Sequence, residues 1–217
     1  MQIELNKAHF PVTVLGPGRR IGLWLQGCSI GCPNCISRDT WEADPAKAIE
    51  IAALLAWCRE VTQSVLDGVT ISGGEPFDQP DALLALLRAL GDWRSESGVD
   101  FDLLCYSGYP LRKLEQAHRP ILDLLDAVIP EPFVADLPLG GIWRGSANQP
   151  LVPLSARGVR RFEAYAGCEA GAESSRLQVA VDAKRIWYIG IPARGAMDRV
   201  EAECRARGLV FLQSSWR

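Results

Sequence analysis

The chain has 217 residues, which at about 100–200 residues per domain favours one compact domain over two. Twenty-three basic residues against 26 acidic ones give a net charge of −3, so no positive field argues for nucleic acid or an acidic membrane surface. The longest uncharged helical run, Ile51 to Cys58, is far below the roughly 20 residues that span a bilayer, so no membrane role is expected. A chain of this length buries enough surface to hold a core without metal or disulfide. Its seven cysteines are an odd number, which excludes complete internal pairing. Met1 to Lys7 reads as polar and strand-like, and the expected compartment is the cytoplasm, where thiols stay reduced.

In chain order, Ile21 to Gln26 reads as a strand that delivers the chain into Cys28-Ser-Ile-Gly-Cys32-Pro-Asn-Cys35. Asp44-Pro45 is an N-cap and first-turn proline, predicting a helix that buries Ile49, Ala53, Ala56 and Trp57. Gly68 to Gly74 is a short β-branched strand ending in glycines. Leu83, Leu86, Leu87 and Leu90 form the next helical stripe, with Gly91 as its stop. Phe101 to Tyr106 is a strand, Pro110 to Leu125 a helix kinked at Pro120, and Asp126 to Ile129 a strand. A Pro/Gly-rich stretch to about Pro153 is long enough to be functional rather than a plain connector. Arg185 to Ile191 and Leu209 to Leu212 read as strands flanking a helix over Asp198 to Arg207, closed by Gly208. Alternating strands and helices predict an α/β fold with a parallel sheet.

Cys58 and Cys105 lie in apolar elements and read as core. Cys168, in the Gly-rich stretch Ala166 to Gly171, and Cys204, on a charged helix, read as ordinary thiols. The other three cysteines sit in one eight-residue stretch, so short a loop that their side chains must converge on one small inorganic centre. A structural zinc site would need a fourth ligand from His9, His118 or a distant cysteine. An iron–sulfur cluster held by three cysteines leaves one iron without a protein ligand, open to a substrate or cofactor. Spacing alone leaves both open. Ser72-Gly-Gly-Glu-Pro76 follows the next strand, at the rim where α/β sheets bind ligands. Gly73 and Gly74 allow close backbone approach of a ligand there, and Glu75 can contact a cationic or polar group.

Cys-x3-Cys-x2-Cys followed one βα unit later by Gly-Gly-Glu-Pro resembles the radical S-adenosylmethionine (SAM) superfamily. The resemblance implies that Cys28, Cys32 and Cys35 ligate a [4Fe-4S] cluster whose open iron is chelated by SAM. It also implies that Gly73, Gly74 and Glu75 line the methionyl amino group. Asn34 stands where the common pattern has an aromatic residue beside adenine. Leu23-Trp-Leu-Gln-Gly-Cys28, Asp39-Thr-Trp41, Tyr106-Ser-Gly-Tyr109 and Trp143-Arg-Gly-Ser-Ala-Asn-Gln149 are similar to the activating proteins of anaerobic ribonucleoside-triphosphate reductase, a glycyl-radical enzyme. The matching stretches run from about residue 20 to 150. One departure is Pro130-Glu131-Pro132-Phe133, where that branch commonly carries Asp-Gly before Pro-Phe; Glu131 stands in one step along.

By this resemblance the fold is a partial (β/α)6-type open TIM barrel over residues 1–217. Its core covers about 20–150, and a divergent C-terminal extension belongs to the same domain. Tyr106, Ser107, Glu131 and Arg144 join Asn34 and Gly73 to Glu75 as candidate cofactor contacts, with Ser146, Asn148 and Gln149 as further candidates. Trp41 is a candidate shield for the cluster, whereas Trp187, Tyr188 and Trp216 read as packing. The implied reaction begins with one electron from flavodoxin or ferredoxin. SAM is then cleaved to a 5′-deoxyadenosyl radical that abstracts hydrogen from a glycine of a protein partner, and no side chain is required as general acid or base. Two alternatives stand beside it: a small radical SAM enzyme acting on a different peptide or metabolite, and a non-catalytic zinc- or cluster-binding interaction protein.

Overall fold

The computed structural model describes residues 1–217 except 64, 169–176 and 183–184. Four parallel strands form its centre: β2 (Arg20–Leu25), β4 (Gly68–Gly73), β5 (Asp102–Tyr106) and β6 (Ala127–Ile129). Antiparallel strands extend both sides, β1 (Gln2–Val12) and then β3 (Ala48–Glu50) beyond β2, and β7 (Val152–Pro153) beyond β6. The sheet is thus seven-stranded, mixed and open, in the order β3-β1-β2-β4-β5-β6-β7. The expected α/β class is what the sheet shows. Among the described residues its parallel part counts four strands, flanked on both sides by antiparallel ones, so the expected partial (β/α)6 barrel is not confirmed.

Alternation along the strands sorts the core into faces. Ile21, Leu23, Leu25, Val69, Ile71, Leu103, Cys105 and Val128 pack on one side against α1 (Ile51–Thr62), α2 (Pro80–Ser97), α3 (Leu111–Ala117) and α4 (Arg119–Leu122). On the other side Leu104, Ala127 and Ile129 meet Trp143 and Phe162 of α5 (Ala156–Ala166). Also on that side, Val12, Val14, Leu15 and Trp24 meet Ile189 of β9 (Ile186–Gly190). β9 forms a two-stranded antiparallel sheet with β8 (Leu177–Val181), and α6 (Ala196–Ala206) follows. Under the strand starts, Arg20 and Asp102 form a fully buried ion pair at 2.5 Å, and Arg20 also bonds Thr70 Oγ1 at 2.6 Å. Every polar atom so deeply buried needs such a partner. Among the described residues no helix is long and apolar enough to cross a membrane.

Three local expectations are corrected. Asp44 caps a 3-10 turn, its Oδ1 accepting the Ala46 N–H at 3.1 Å, and β3 intervenes before α1 begins. Pairing of β3 with β1 resets the helix phase, so α1 buries Ile51, Leu54, Cys58 and Thr62, while Ala53 and Ala56 are exposed. Helix α2 runs through Gly91, because Trp93 continues the buried stripe onto Phe101 at 4.9 Å; its stop is Gly98 at φ +67°. Leu209 to Leu212 forms no strand, since Phe211 packs instead on Tyr188 and Trp216. Cys168 is exposed, and residues 169–171 of its Gly-rich stretch lie outside the described residues.

Candidate functional site

A cavity of about 660 Å³ opens at the C-terminal ends of β2, β4 and β5, a size typical of small-molecule sites. Cys28, Cys32 and Cys35 line it from the loop that leaves β2. That loop is stitched to its surroundings by backbone bonds from Gly27 N–H to Thr40 O (2.8 Å) and Cys28 N–H to Trp41 O (2.9 Å). Asp78 holds its middle, accepting the Ser29 N–H at 2.7 Å, the Ser29 hydroxyl at 3.0 Å and the Tyr109 hydroxyl at 2.6 Å. Gly31 at φ +59° and Asn34 at φ +60° make the reversals between successive cysteines. Asn34 therefore has a backbone reason for its identity, since asparagine tolerates the left-handed region better than an aromatic residue does.

The three thiols are half-buried. Burial pushes Cys32 up; the Phe133 N–H opposes this, and charges on Cys35 and Cys28 push it further up. Burial likewise pushes Cys35 up, against the Ser37 N–H at 3.4 Å from its Sγ and the Trp41 side chain. Two desolvated sulfurs, Cys32 and Cys35, with Cys28 beside them, suit a cationic inorganic centre, which favours the ionised thiolates. Among the described residues no three Cys, His, Asp or Glu side chains converge on a single metal ion. A 4Fe-4S cluster gives each cysteine its own iron and needs no fourth protein ligand, whereas a structural zinc ion does. The histidines considered as a fourth zinc ligand are elsewhere: His9 stacks on Trp187 at 4.7 Å and His118 on Phe77 at 5.3 Å.

Gly73, Gly74 and Glu75 reach the same cavity. A Cβ on Gly73 would lie 2.3 Å from Leu25 N, and one on Gly74 only 1.9 Å from Gly27 O. The glycines thus admit the backbone that enters the cysteine loop. Hydrogen bonds from Gly74 N–H to Leu25 O (2.9 Å) and from Glu75 N–H to Gly27 O (2.8 Å) lock this contact. Glu75 is 1% exposed, and burial raises its carboxyl to about 7. Opposing that shift, its oxygens accept the Phe77 N–H (3.0 Å), the Ser107 hydroxyl (2.8 Å) and the Gly108 N–H (2.7 Å). The carboxylate so ties the end of β4 to the end of β5, and a cationic group beside it would stabilise its charge.

Tyr106, Ser107 and Glu131 also line the cavity. The Tyr106 hydroxyl donates to Trp143 O at 2.7 Å, and Ser107 Oγ accepts the Tyr109 N–H at 3.0 Å. Glu131 sits at φ +80°, the left-handed region that favours glycine, and its Oε1 accepts the Leu111 N–H at 3.1 Å. Gln149 and Asn148 grip this segment by donating to Glu131 O (2.9 Å) and Pro132 O (2.8 Å), while Ser146 Oγ accepts the Val134 N–H (3.1 Å). Arg144 is not among the lining residues. Its guanidinium donates to Ala166 O (3.1 Å) and Cys168 O (2.8 Å), closing the carbonyl end of α5.

Sequence reasoning missed one wall entirely. Trp187 to Gly195, Met197, Asp198 and Ser215-Trp216 line the cavity, and Ser215 O accepts the Arg38 N–H at 2.7 Å, beside the cysteine loop. Trp187, Tyr188 and Trp216 therefore pack and face the cavity at once. No motif marks them; only the two-residue alternation of β9 distinguishes its buried Ile189 from Tyr188.

Residues 14–152 match the family model described as a 4Fe-4S single cluster domain. The anaerobic ribonucleoside-triphosphate reductase-activating protein of Escherichia coli K12 is 30% identical over 145 residues, 65% of this chain and 93% of that protein. The protein of the same name from Enterobacteria phage T4 is 28% identical over 138 residues, 64% and 86% of the two chains. A pyruvate formate-lyase-activating enzyme of Clostridium pasteurianum is 30% identical over 97 residues, 43% and 41% of the two. The three-cysteine loop and Gly73 to Glu75 both fall within the matched residues. The chain belongs to the 4Fe-4S single cluster domain family and, within it, with the anaerobic ribonucleoside-triphosphate reductase-activating proteins.

Proposed function

We propose that this protein is a radical SAM activase: it binds a [4Fe-4S] cluster and SAM and removes a hydrogen from a glycine of a glycyl-radical enzyme. The observation that carries the reading is the opening of Cys28, Cys32, Cys35 and the Gly73 to Glu75 turn into one cavity at the strand ends. When bound, the cluster and SAM supply one-electron cleavage of a carbon–sulfur bond and the hydrogen abstraction that follows. The thiolates of Cys28, Cys32 and Cys35 would hold the cluster. Glu75, with the backbone of Gly73 and Gly74, orients the cationic amino group, and Asn34, Tyr106, Ser107 and Glu131 bound the rest of the cofactor. Trp24, Trp41, Phe133 and Trp187 give the cavity an aromatic lining that excludes water and oxygen.

The electron donor in this reading is flavodoxin or ferredoxin, the compartment is the cytoplasm, and the whole chain acts as one domain. Anaerobic reconstitution tests it: about four irons per chain, release of 5′-deoxyadenosine with dithionite and SAM, and a glycine-centred paramagnetic doublet on adding the anaerobic ribonucleoside-triphosphate reductase of the same genome. Zinc alone with no SAM cleavage would refute the enzymatic reading; cleavage without a doublet would refute the partner.

A further inference from the structure

The C-terminal third lies beyond the family match, which ends at residue 152, and it presents a face of its own. In the β8–β9 hairpin the cross-strand pairs Val179 with Tyr188 and Val181 with Ile186 place four side chains on one side. Trp187 and Ile189 point the other way, against His9 and the Val12 to Trp24 cluster. Trp187, Tyr188, Ile189 and Gly190 all line the cavity, and of these Tyr188 lies on the outer side. Outward from Tyr188 the same side continues through Val179, Ile186 and Val181, which are 57%, 42% and 73% exposed. Tyr188 also packs on Phe211, and Phe211's neighbours Leu209, Val210 and Leu212 are exposed in turn.

A contiguous apolar surface left open on a folded chain marks an interaction site. We infer that this hairpin face docks the polypeptide substrate, a folded protein that presents one glycine to the cavity. The inference rests on the activase reading. Continuity selects the occupant: a protein whose residue enters the cavity must also cover the surface beside the mouth, and this face begins at the lining residue Tyr188. A metabolite held within the cavity would leave Val181 and Ile186 untouched.

The test compares wild type with V181K/I186E, an oppositely charged cross-strand pair that preserves hairpin pairing. Neither residue touches the cavity. Dithionite-driven SAM cleavage without a partner is expected to be unchanged. Affinity for the same-genome reductase, measured anaerobically by biolayer interferometry, is expected to weaken at least about tenfold, the loss typical of an interface anchor. Unchanged affinity in a variant with the wild-type melting temperature overturns the docking face while leaving wild-type doublet formation, and so the activase reading, intact. Loss of a wild-type dimer in sedimentation, with partner affinity unchanged, overturns it too and gives the face to a second copy. Absence of a doublet from wild type overturns the activase reading and this inference together.

Discussion

Substituting Gly74 by alanine tests whether the Gly-Gly turn is shaped by the backbone it touches. The added methyl would sit 1.9 Å from Gly27 O, 2.7 Å from Gly27 C and 3.0 Å from Thr40 O, all backbone atoms with no rotamer to yield. Relief requires the entry to the cysteine loop to part from the end of β4, which breaks the bonds from Gly74 N–H to Leu25 O and from Glu75 N–H to Gly27 O. Overpacking costs about 1–3 kcal/mol and each lost hydrogen bond about 1 kcal/mol, so the total is about 3–5 kcal/mol. For a chain of this size, at about 2–4 °C per kcal/mol, the melting temperature drops by about 6–20 °C. Calorimetry of the metal-free protein measures the drop, and iron content after reconstitution reports the displaced loop. A G74A variant that melts within 1 °C of wild type and loads full iron would refute this account.

Gly91, by contrast, lies inside α2 with open space where a Cβ would go, so G91A should stabilise by about 0.5–1 kcal/mol and raise the melting temperature by a few degrees. Glu75 predicts a pH dependence. Its folded-state pKa of about 7 lies above the ordinary 4.5, so its contribution is full below about 4.5 and is lost as pH rises toward 7, at most about 3 kcal/mol by 1.36 kcal/mol per unit. Denaturant melts of metal-free protein between pH 4.5 and 7 should show this decline in wild type and a flatter profile in E75Q; equal slopes would contradict it. Alanine at Cys28, Cys32 or Cys35 should abolish iron loading and SAM cleavage, whereas Cys58→Ala should keep both while losing some stability, its thiol being fully buried. Arg144→Ala should lower the melting temperature by loosening the end of α5, with SAM affinity by titration calorimetry unchanged; a weaker affinity would restore Arg144 to the site.

Much of the centre was legible because its signals are local. The strands β2, β4, β5 and β6 are short apolar runs closed by turn residues, and the three cysteines of one short loop line one cavity. The misreadings arose where a distant partner decides. Ala48 to Glu50 is extended only because β1 pairs with it, and that pairing turned Ala53 and Ala56 outward. Arg144 carried the right motif but serves the carbonyl end of a helix that begins 12 residues later. The close contact that Gly73 and Gly74 make with the backbone of Leu25 and Gly27 also joins residues distant in sequence, so no local signal announces it. The wall formed by β9 and Ser215-Trp216 was illegible, since its place depends on packing against β1 and on one carbonyl meeting Arg38.

That carbonyl orders events in time. Ser215 follows Arg38 by 177 residues, so at about 5–20 residues per second of synthesis the cysteine loop leaves the ribosome about 10–35 s before the segment that covers it. During that interval Cys35 and its neighbours are open to iron delivery from the side the tail later occupies. Once Ser215 has accepted the Arg38 N–H, the tail takes its place as a wall of the cavity.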